Sequence, residues 1–238
     1  MSELKIISLG WGVQSFTLAA MVVLGDLEPV DYAVHADTGW ESHATMDFAE
    51  KWTPWLESHG VKVATVYNDY KVVFKRKSGT NEIAVPAFDE NGGIMRRQCT
   101  LHWKLIPVKR FIAKQLKEKG FTKKPGIVEQ WIGITSDEAK RAKPNWVKYI
   151  TNTYPLLTMS RNDCKQWLEQ HNLEISPRSK CIICPFQTKD EWQSLPDSEL
   201  ARAILADELI RNAKLPGRLY LCNKRIPLKS IKSQLKLF

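Results

Sequence analysis

The 238-residue sequence lacks the features of several common protein classes. A membrane helix needs an uncharged apolar run of about 18 residues or more, and the sequence has none. The segment 1–5 lacks the long apolar block of a secretory signal. We therefore expect a cytoplasmic protein with no membrane partner. Internal repeats and low-complexity segments are also missing.

Cysteine is scarce, and positive charge is in excess. Five cysteines in a chain without an export signal argue against a disulfide framework and favour metal binding or redox chemistry. Lys and Arg total 35 against 26 Asp and Glu, a net charge of +9. This charge favours anionic partners such as nucleotides or nucleic acid without selecting between them.

Segments with strand character alternate with segments of helical spacing. Strands are predicted at 4–9, 30–36, 61–66 and 129–134, and helices at 15–24, 42–58 and 107–119. This alternation predicts an α/β fold, in which helices flank a parallel twisted sheet. Residues 68–97 lose the periodicity and are predicted to form a long irregular excursion.

The last third of the sequence is predicted to be helical. Ser160 and Asp163 have the spacing of a helix capping box, and that helix is expected to reach about His171. Two further helices, at about 188–195 and 197–213, precede a basic tail. We expect a nucleotide-binding domain at 1–155 and a smaller, cysteine-containing helical region at 156–238, packed on the first.

A glycine-bearing loop joins the first strand to the first helix. Glycines there let the backbone close around a phosphate, and the helix N-terminus attracts the anion. The motif is neither GxGxxG nor Walker A. The alternative is a tight strand-to-helix turn with incidental glycines. The candidate nucleotide-binding residues of this loop are Ser8, Gly10, Trp11, Gly12, Val13, Gln14 and Ser15.

Two later segments follow predicted strands and add candidates to this site. Asp37, Thr38 and Gly39 follow the second strand, where a topological switch would place them beside the loop; an Asp-capped turn is the alternative. Gly133 and Glu138 follow a later strand, and an acidic side chain there could bind Mg²⁺ that bridges phosphates. Lys140 and Arg141 could contact a substrate anion, unless the segment is a solvated charged loop.

The cysteines form the second candidate site. Cys181 and Cys184 have the CxxC spacing that lets two thiolates reach one ion or cluster. Cys99 lies in a cationic stretch, and Cys164 is either a fourth ligand or a buried residue on the apolar face of its helix. Both a [4Fe–4S] cluster and Zn²⁺ suit such thiolates. Further candidate contacts to a substrate anion are Arg96, Arg97 and Lys104.

Together these motifs resemble the adenine nucleotide alpha hydrolase, or PP-loop, superfamily, specifically its phosphoadenosine phosphosulfate reductase-like branch in phages and bacteria. Residues 8–15 resemble a variant of the SGGxDS loop, with Gln14 where many members have Asp. Residues 37–39 resemble the Asp-Thr-Gly segment of the reductases, and 133–138 their Gly-Ile-Arg-x-x-Glu stretch. The resemblance extends over about residues 4–230.

The resemblance implies a cofactor set and a reaction. ATP or a related adenine nucleotide would bind with Mg²⁺, and the enzyme would adenylate an acceptor, release pyrophosphate and transfer sulfur. A [4Fe–4S] cluster would be held by the cysteines at 99, 181 and 184, with Cys164 as the fourth ligand or with one iron left open. The candidate partners are tRNA or DNA as acceptor, a sulfur donor and a second copy of the chain in a homodimer.

Two other functions remain open. Sulfonucleotide reductases use a mobile C-terminal cysteine, whereas this sequence ends at 236–238 in Lys-Leu-Phe, so sulfate assimilation is disfavoured. A reductase of the PAPS or APS type that uses the cluster or an external thiol is one alternative. A non-catalytic, zinc-stabilised nucleic-acid-binding protein is the other, and the basic charge is compatible with it.

Overall fold

The computed structural model describes residues 2–69, 71–215 and 217–231, so the last part of the predicted basic tail, 232–238, lies outside the described residues. The strands are β1 (Leu4–Leu9), β2 (Tyr32–Asp37), β3 (Lys62–Tyr67), β4 (Val73–Lys75), β5 (Asn81–Ile83), β6 (Phe88–Asp89), β7 (Val128–Ile132), β8 (Ile150–Thr153) and β9 (Leu219–Tyr220). The α-helices are α1 (Val13–Leu24), α2 (His43–Ser58), α3 (Ile106–Glu118), α4 (Arg161–Gln170), α5 (Lys189–Gln193) and α6 (Asp197–Asn212). A π-helix spans Thr100–Leu105, and 3₁₀-helices span Ser136–Arg141 and Leu228–Ser230.

The central sheet has the strand order β3-β2-β1-β7-β8. β1 pairs in parallel with both β2 and β7, and β7 pairs in parallel with β8. The predicted α/β class, a parallel sheet flanked by helices, is confirmed. Strand β8 was not predicted, because its sequence Ile-Thr-Asn-Thr has a single large apolar residue.

Both faces of the sheet are buried, as expected for parallel strands covered by helices. Leu4 and Ile6 of β1 point to the core that α3 covers, whereas Ile7 and Leu9 point to the core shared with α1, α2 and α4. This division follows from the two-residue period of a strand.

Contacts within the chain divide it into two compact units. Unit 1 comprises 1–37, 43–66 and 107–179 and contains the parallel sheet. Unit 2 comprises 38–42, 67–106 and 180–238 and contains the short strands, α5 and α6. The predicted domain boundary at 155 falls inside unit 1, and the segment 67–106 belongs to the same unit as the CxxC motif.

Local signals in the sequence account for several helix ends and turns. The Ser160 hydroxyl accepts a hydrogen bond from Asp163 N, and the Asp163 carboxylate accepts one from Ser160 N, which confirms the predicted capping box. The predicted irregular excursion contains the antiparallel hairpin β4–β5, in which Val73 lies opposite Ile83. Within the residues described, every helix is too short or too polar to cross a bilayer.

Candidate functional site

The candidate nucleotide site lies in unit 1, where the connections of the sheet change direction. The chain leaves β1 through α1 to reach β2, whereas β7 lies on the other side of β1. In open α/β sheets, ligands bind outside the carboxyl ends of the strands at such a switch point. A Cβ atom on Gly133, just after β7, would lie 2.9 Å from both Gln14 C and Ser15 N. Glycine therefore allows the β7 end to approach the first turn of α1 closely.

Ser15 closes the loop between β1 and α1. Its Oγ accepts a hydrogen bond from Gly10 N at 3.1 Å and donates one to Gly12 O at 3.2 Å. No described side chain caps α1 at its N-cap residue Gly12. An uncapped helix start presents backbone N–H groups to an anion.

Trp11 occupies the centre of this loop in the left-handed region, with φ of +55°. Its ring is buried and packs edge-on against His35 and Phe48. Large side chains seldom adopt positive φ, and the strain is offset here by burial of the indole. Because the ring belongs to the core, Trp11 can reach a bound phosphate only through its backbone.

Two serines that the sequence analysis missed support the loop from within unit 1. The Ser176 hydroxyl donates to Trp11 O, and the Ser179 hydroxyl donates to Gly10 O. Both bonds are accepted by carbonyl oxygens. They therefore use no backbone N–H group that a bound anion would need. The pairs are separated by 165 and 169 positions, so no local sequence pattern indicated them.

Glu138 lies against the start of α1. Gln14 Nε2 donates to Glu138 Oε1 at 2.8 Å, and Arg141 forms an ion pair with Glu138 Oε2. The structure therefore brings together three of the predicted residues, whereas Lys140 is exposed. Asp37 ends β2 and also belongs to unit 1.

Thr38 and Gly39, predicted to bind nucleotide, belong to unit 2. The Thr38 hydroxyl donates to Glu41 Oε1 at 3.1 Å and lies 3.4 Å from Cys181 Sγ. The carbonyl of Gly39 accepts a hydrogen bond from Arg202. Thr38 therefore contacts the cysteine site.

The cysteine site in unit 2 is organised around Cys181. Cys184 follows on the same turn, where its backbone N–H donates to Cys181 O at 3.0 Å. The Cys181 thiol donates to Glu41 Oε1 at 3.8 Å. Burial, and then the negative charge of Glu41, raise the pKa of the Cys181 thiol to about 12.

Lys104 provides a positive charge beside Glu41 at the cysteine site. Its Nζ lies 3.5 Å from Glu41 Oε1. Burial alone would lower the pKa of Lys104, but Glu41 together with the thiols of Cys181 and Cys99 raises it. From the sequence, Lys104 was predicted to contact a substrate anion, and no role was predicted for Glu41.

The remaining residues predicted from the cationic stretch also lie in unit 2. Cys99 precedes the π-helix and packs against the unit 2 core, to which Trp103 belongs. The Arg97 guanidinium lies 6.0 Å from the centre of the Phe186 ring, and Arg96 is exposed.

Cys164 lies in unit 1, in the core formed with α1 and α4. It is fully buried, and burial raises the pKa of its thiol to about 11. The Thr17 hydroxyl donates to its carbonyl at 3.4 Å. The assignment of Cys164 as fourth ligand therefore stays a prediction, and its surroundings are those of a core residue.

The donor set of unit 2 suits a soft metal centre. No group of three or more His, Cys, Asp or Glu side chains in the described ranges is arranged to hold a metal ion. The buried Glu41 Oε2 nevertheless has no hydrogen-bond partner among the described residues, and a buried carboxylate oxygen needs one. The Cys181 thiol lies 3.8 Å from the other oxygen of Glu41, and thiols are ligands that iron and zinc both accept, so the residues present fit such a group.

No protein-family model matches the sequence, and no curated protein matches it. Among solved structures, the chain is similar to a phosphoadenylyl-sulfate reductase from Candida auris in a phosphate complex, with 12% identity, a TM-score of 0.45, and coverage of 74% of this chain and 76% of that one. It is also similar to the U34-tRNA thiolase NcsA from Methanococcus maripaludis with its [4Fe–4S] cluster, with 14% identity, a TM-score of 0.45, and coverage of 100% of this chain and 74% of that one. At this sequence identity and TM-score, the similarity gives no information about the activity of this chain. The α/β class is established by the strand order and the parallel pairing of this chain.

Proposed function

We propose that this chain is an ATP-dependent enzyme of the PP-loop type, which adenylates an acceptor, releases pyrophosphate and lets sulfur replace the adenylate. The observation that carries the proposal is the contact between Gly133 and the first turn of α1 at the switch point of the sheet. Such a contact brings the ends of β1 and β7 together around an uncapped helix N-terminus, which is a favourable position for phosphates.

The nucleotide would be held by groups that unit 1 already organises. The backbone N–H groups at the start of α1 would bind phosphate oxygens, and Glu138 supplies carboxylate oxygens of the kind that Mg²⁺ prefers. Both Glu138 oxygens are engaged in the structure, by Gln14 and by Arg141. An incoming ion would replace one of these contacts, and the released Arg141 would then be available to the phosphates.

The chemistry balances without an oxidant or a reductant. An acceptor oxygen attacks the α-phosphorus, the bond to the bridging oxygen breaks, and pyrophosphate leaves with the electron pair. Sulfide from an external donor then attacks the acceptor carbon, and AMP leaves with the original acceptor oxygen. In this scheme the loop N–H groups stabilise the negative charge that develops on the phosphate oxygens.

The thiols of unit 2 would hold the metal centre. Cys99, Cys181 and Cys184 are the proposed ligands of a [4Fe–4S] cluster, which would leave one iron open. When bound, the cluster supplies an iron site that can carry a sulfur atom. Lys104 offsets part of the negative charge that these thiolates would bring.

Pyrophosphate release tests the proposal. Protein purified without oxygen is mixed with ATP, Mg²⁺ and either tRNA or single-stranded DNA. We expect acceptor-dependent pyrophosphate release, reduced about tenfold or more in Ser15→Ala, because that variant loses the two bonds that shape the loop. The matched control is Ser78→Ala, which removes a hydroxyl from the exposed β4–β5 turn. Equal rates in Ser15→Ala and wild type, or no release with either acceptor, would contradict the proposal.

A further inference from the structure

A basic stretch of unit 1 carries an exposed tryptophan, and neither the nucleotide site nor the cysteine site uses this side chain. From Ala139 to Asn162 the sequence contains no Asp or Glu. The same stretch carries five positive charges, at Lys140, Arg141, Lys143, Lys148 and Arg161. We call residues 143–148 together with Lys109 the Trp146 surface.

Trp146 is unusually exposed for its residue type. Its relative exposure is 63%, whereas Trp11, Trp103 and Trp192 are at most 1% exposed. An isolated exposed apolar side chain is common on protein surfaces. Trp146 differs from that ordinary case because a lysine lies against its ring and hydrogen bonds fix the backbone on both sides of it.

Hydrogen bonds hold the segment that carries Trp146. The Asn145 side chain donates to Asn152 Oδ1 at 2.8 Å and accepts from Val147 N at 2.9 Å. Val147 itself is buried in the core under α3. The indole is therefore presented to solvent by an ordered backbone, which lowers the entropic cost of binding a ligand.

The charged side chains of the sequence stretch that carries the indole have one sign. Lys109 Nζ of α3 lies 4.4 Å from the centre of the Trp146 ring, within the range of a cation–π contact. Lys143 and Lys148 are exposed on either side in the sequence. The same segment also lines an open cavity of about 370 Å³, to which Lys143, Asn145, Asn152 and Tyr154 contribute, and this cavity offers polar groups to a ligand.

We infer that the Trp146 surface binds single-stranded nucleic acid. A base would stack on the indole, and adjacent phosphates would pair with Lys143 and Lys148, as in stacking platforms of single-strand binders. A duplex hides the faces of its bases, so a single strand is the occupant that this combination recognises. As an account of the acceptor, the inference rests on the proposed function, whereas strand binding itself can be measured without ATP.

Fluorescence anisotropy of a labelled single-stranded RNA of about ten nucleotides tests the inference with the full-length protein. We expect Trp146→Ala to weaken binding about tenfold or more, because stacking on one aromatic ring contributes that much, and Trp146→Phe to restore most of the affinity. Single-stranded DNA should show the same dependence on Trp146, and duplex RNA should not. Thermal unfolding of each variant checks that the fold is intact.

Charge variants distinguish binding at the Trp146 surface from non-specific attraction of nucleic acid to a basic protein. Lys143→Gln should weaken binding and reduce the slope of log affinity against log salt by about 0.7, the value for one phosphate contact on a single strand. Lys77→Gln removes the same charge from the exposed β4–β5 turn and should leave the slope unchanged. Equal binding by Trp146→Ala and wild type, or equal effects of the two lysine variants, would overturn the inference.

The same protein samples distinguish this inference from the proposed function. Pyrophosphate release that persists in Trp146→Ala without any change in strand affinity would contradict the surface and leave the enzyme intact. Trp146-dependent strand binding without pyrophosphate release would support the surface and contradict the enzyme.

Discussion

Lys104 Nζ lies 3.5 Å from Oε1 of Glu41, a carboxylate whose side chain is only 2% exposed. Glu41 Oε1 also accepts hydrogen bonds from Thr38 and Cys181. A single buried acid therefore connects the segment after β2 with the CxxC turn and with the π-helix of unit 2. The lysine stabilises this arrangement, because burying a carboxylate without a neighbouring cation costs free energy.

Removing the cation should destabilise the protein. We expect Lys104→Met to lower the free energy of unfolding by about 1–3 kcal/mol, less than for a fully buried pair because the lysine side chain is 41% exposed. The measurement is urea unfolding, with Lys114→Met as control. Lys114 pairs with Glu118 on the surface of α3, and its loss should cost about 0.5 kcal/mol or less. Equal losses in the two variants would refute the importance of this pair.

The Cys181 thiol should make stability depend on pH once a chelator has removed any bound metal. Its pKa in the folded protein is about 12, above its ordinary value of 9.0. The unfolded state therefore loses this proton first, so stability is fully present below about pH 9 and declines as pH rises towards 12. Cys181→Ser should show a shallower decline in urea unfolding between about pH 8 and pH 10. Parallel pH profiles of stability for the variant and wild type would show that the pKa of the Cys181 thiol is not raised in the folded protein.

The cysteine variants should fall into two groups when metal content is measured on anaerobically purified protein. Cys181→Ala and Cys184→Ala should lose bound metal, because each removes a ligand from the same turn. Cys164→Ala should retain the metal and lose about 1 kcal/mol of stability, as expected when a small buried side chain is removed from a core. Loss of metal in Cys164→Ala would instead establish it as the predicted fourth ligand.

A methyl group should be tolerated at one glycine of the nucleotide site and not at another. At Gly133 the added Cβ would lie 2.9 Å from backbone atoms of Gln14 and Ser15, so Gly133→Ala should cost about 1–3 kcal/mol of unfolding free energy. At Gly10 the nearest atom would be Ser15 Oγ at 3.8 Å, an ordinary contact. Gly10→Ala should therefore leave thermal stability unchanged, and a similar loss in both variants would contradict this picture of the loop.

Much of the fold could be predicted from local patterns. Apolar periodicity located β1, β2, β3 and β7 to within a few residues, and the Ser160–Asp163 spacing located the start of α4. Strand β8 was missed because it lies at the edge of the sheet and has few apolar residues. Its pairing with β7 depends on long-range contacts that a period of two cannot reveal.

The candidate sites were predictable only in part, for the same physical reason. The loop and the CxxC motif are local signals. By contrast, Ser176 and Ser179 reach back to the loop from more than 160 positions away, and Glu41 meets Cys181 across 140 positions. Cys164 illustrates the opposite difficulty, because a ligand and a core cysteine look alike in sequence and differ only in what surrounds the sulfur.

Equilibrium binding of ATP with Mg²⁺, measured by calorimetry on wild type and Gly10→Ala, tests the central claim most directly. If the loop between β1 and α1 holds the phosphates, wild type binds one nucleotide per chain, and Gly10→Ala binds about tenfold more weakly or worse at unchanged thermal stability, because its methyl group occupies the approach to the loop backbone. Absence of ATP binding by wild type, or equal affinity in the stable variant, would contradict the account.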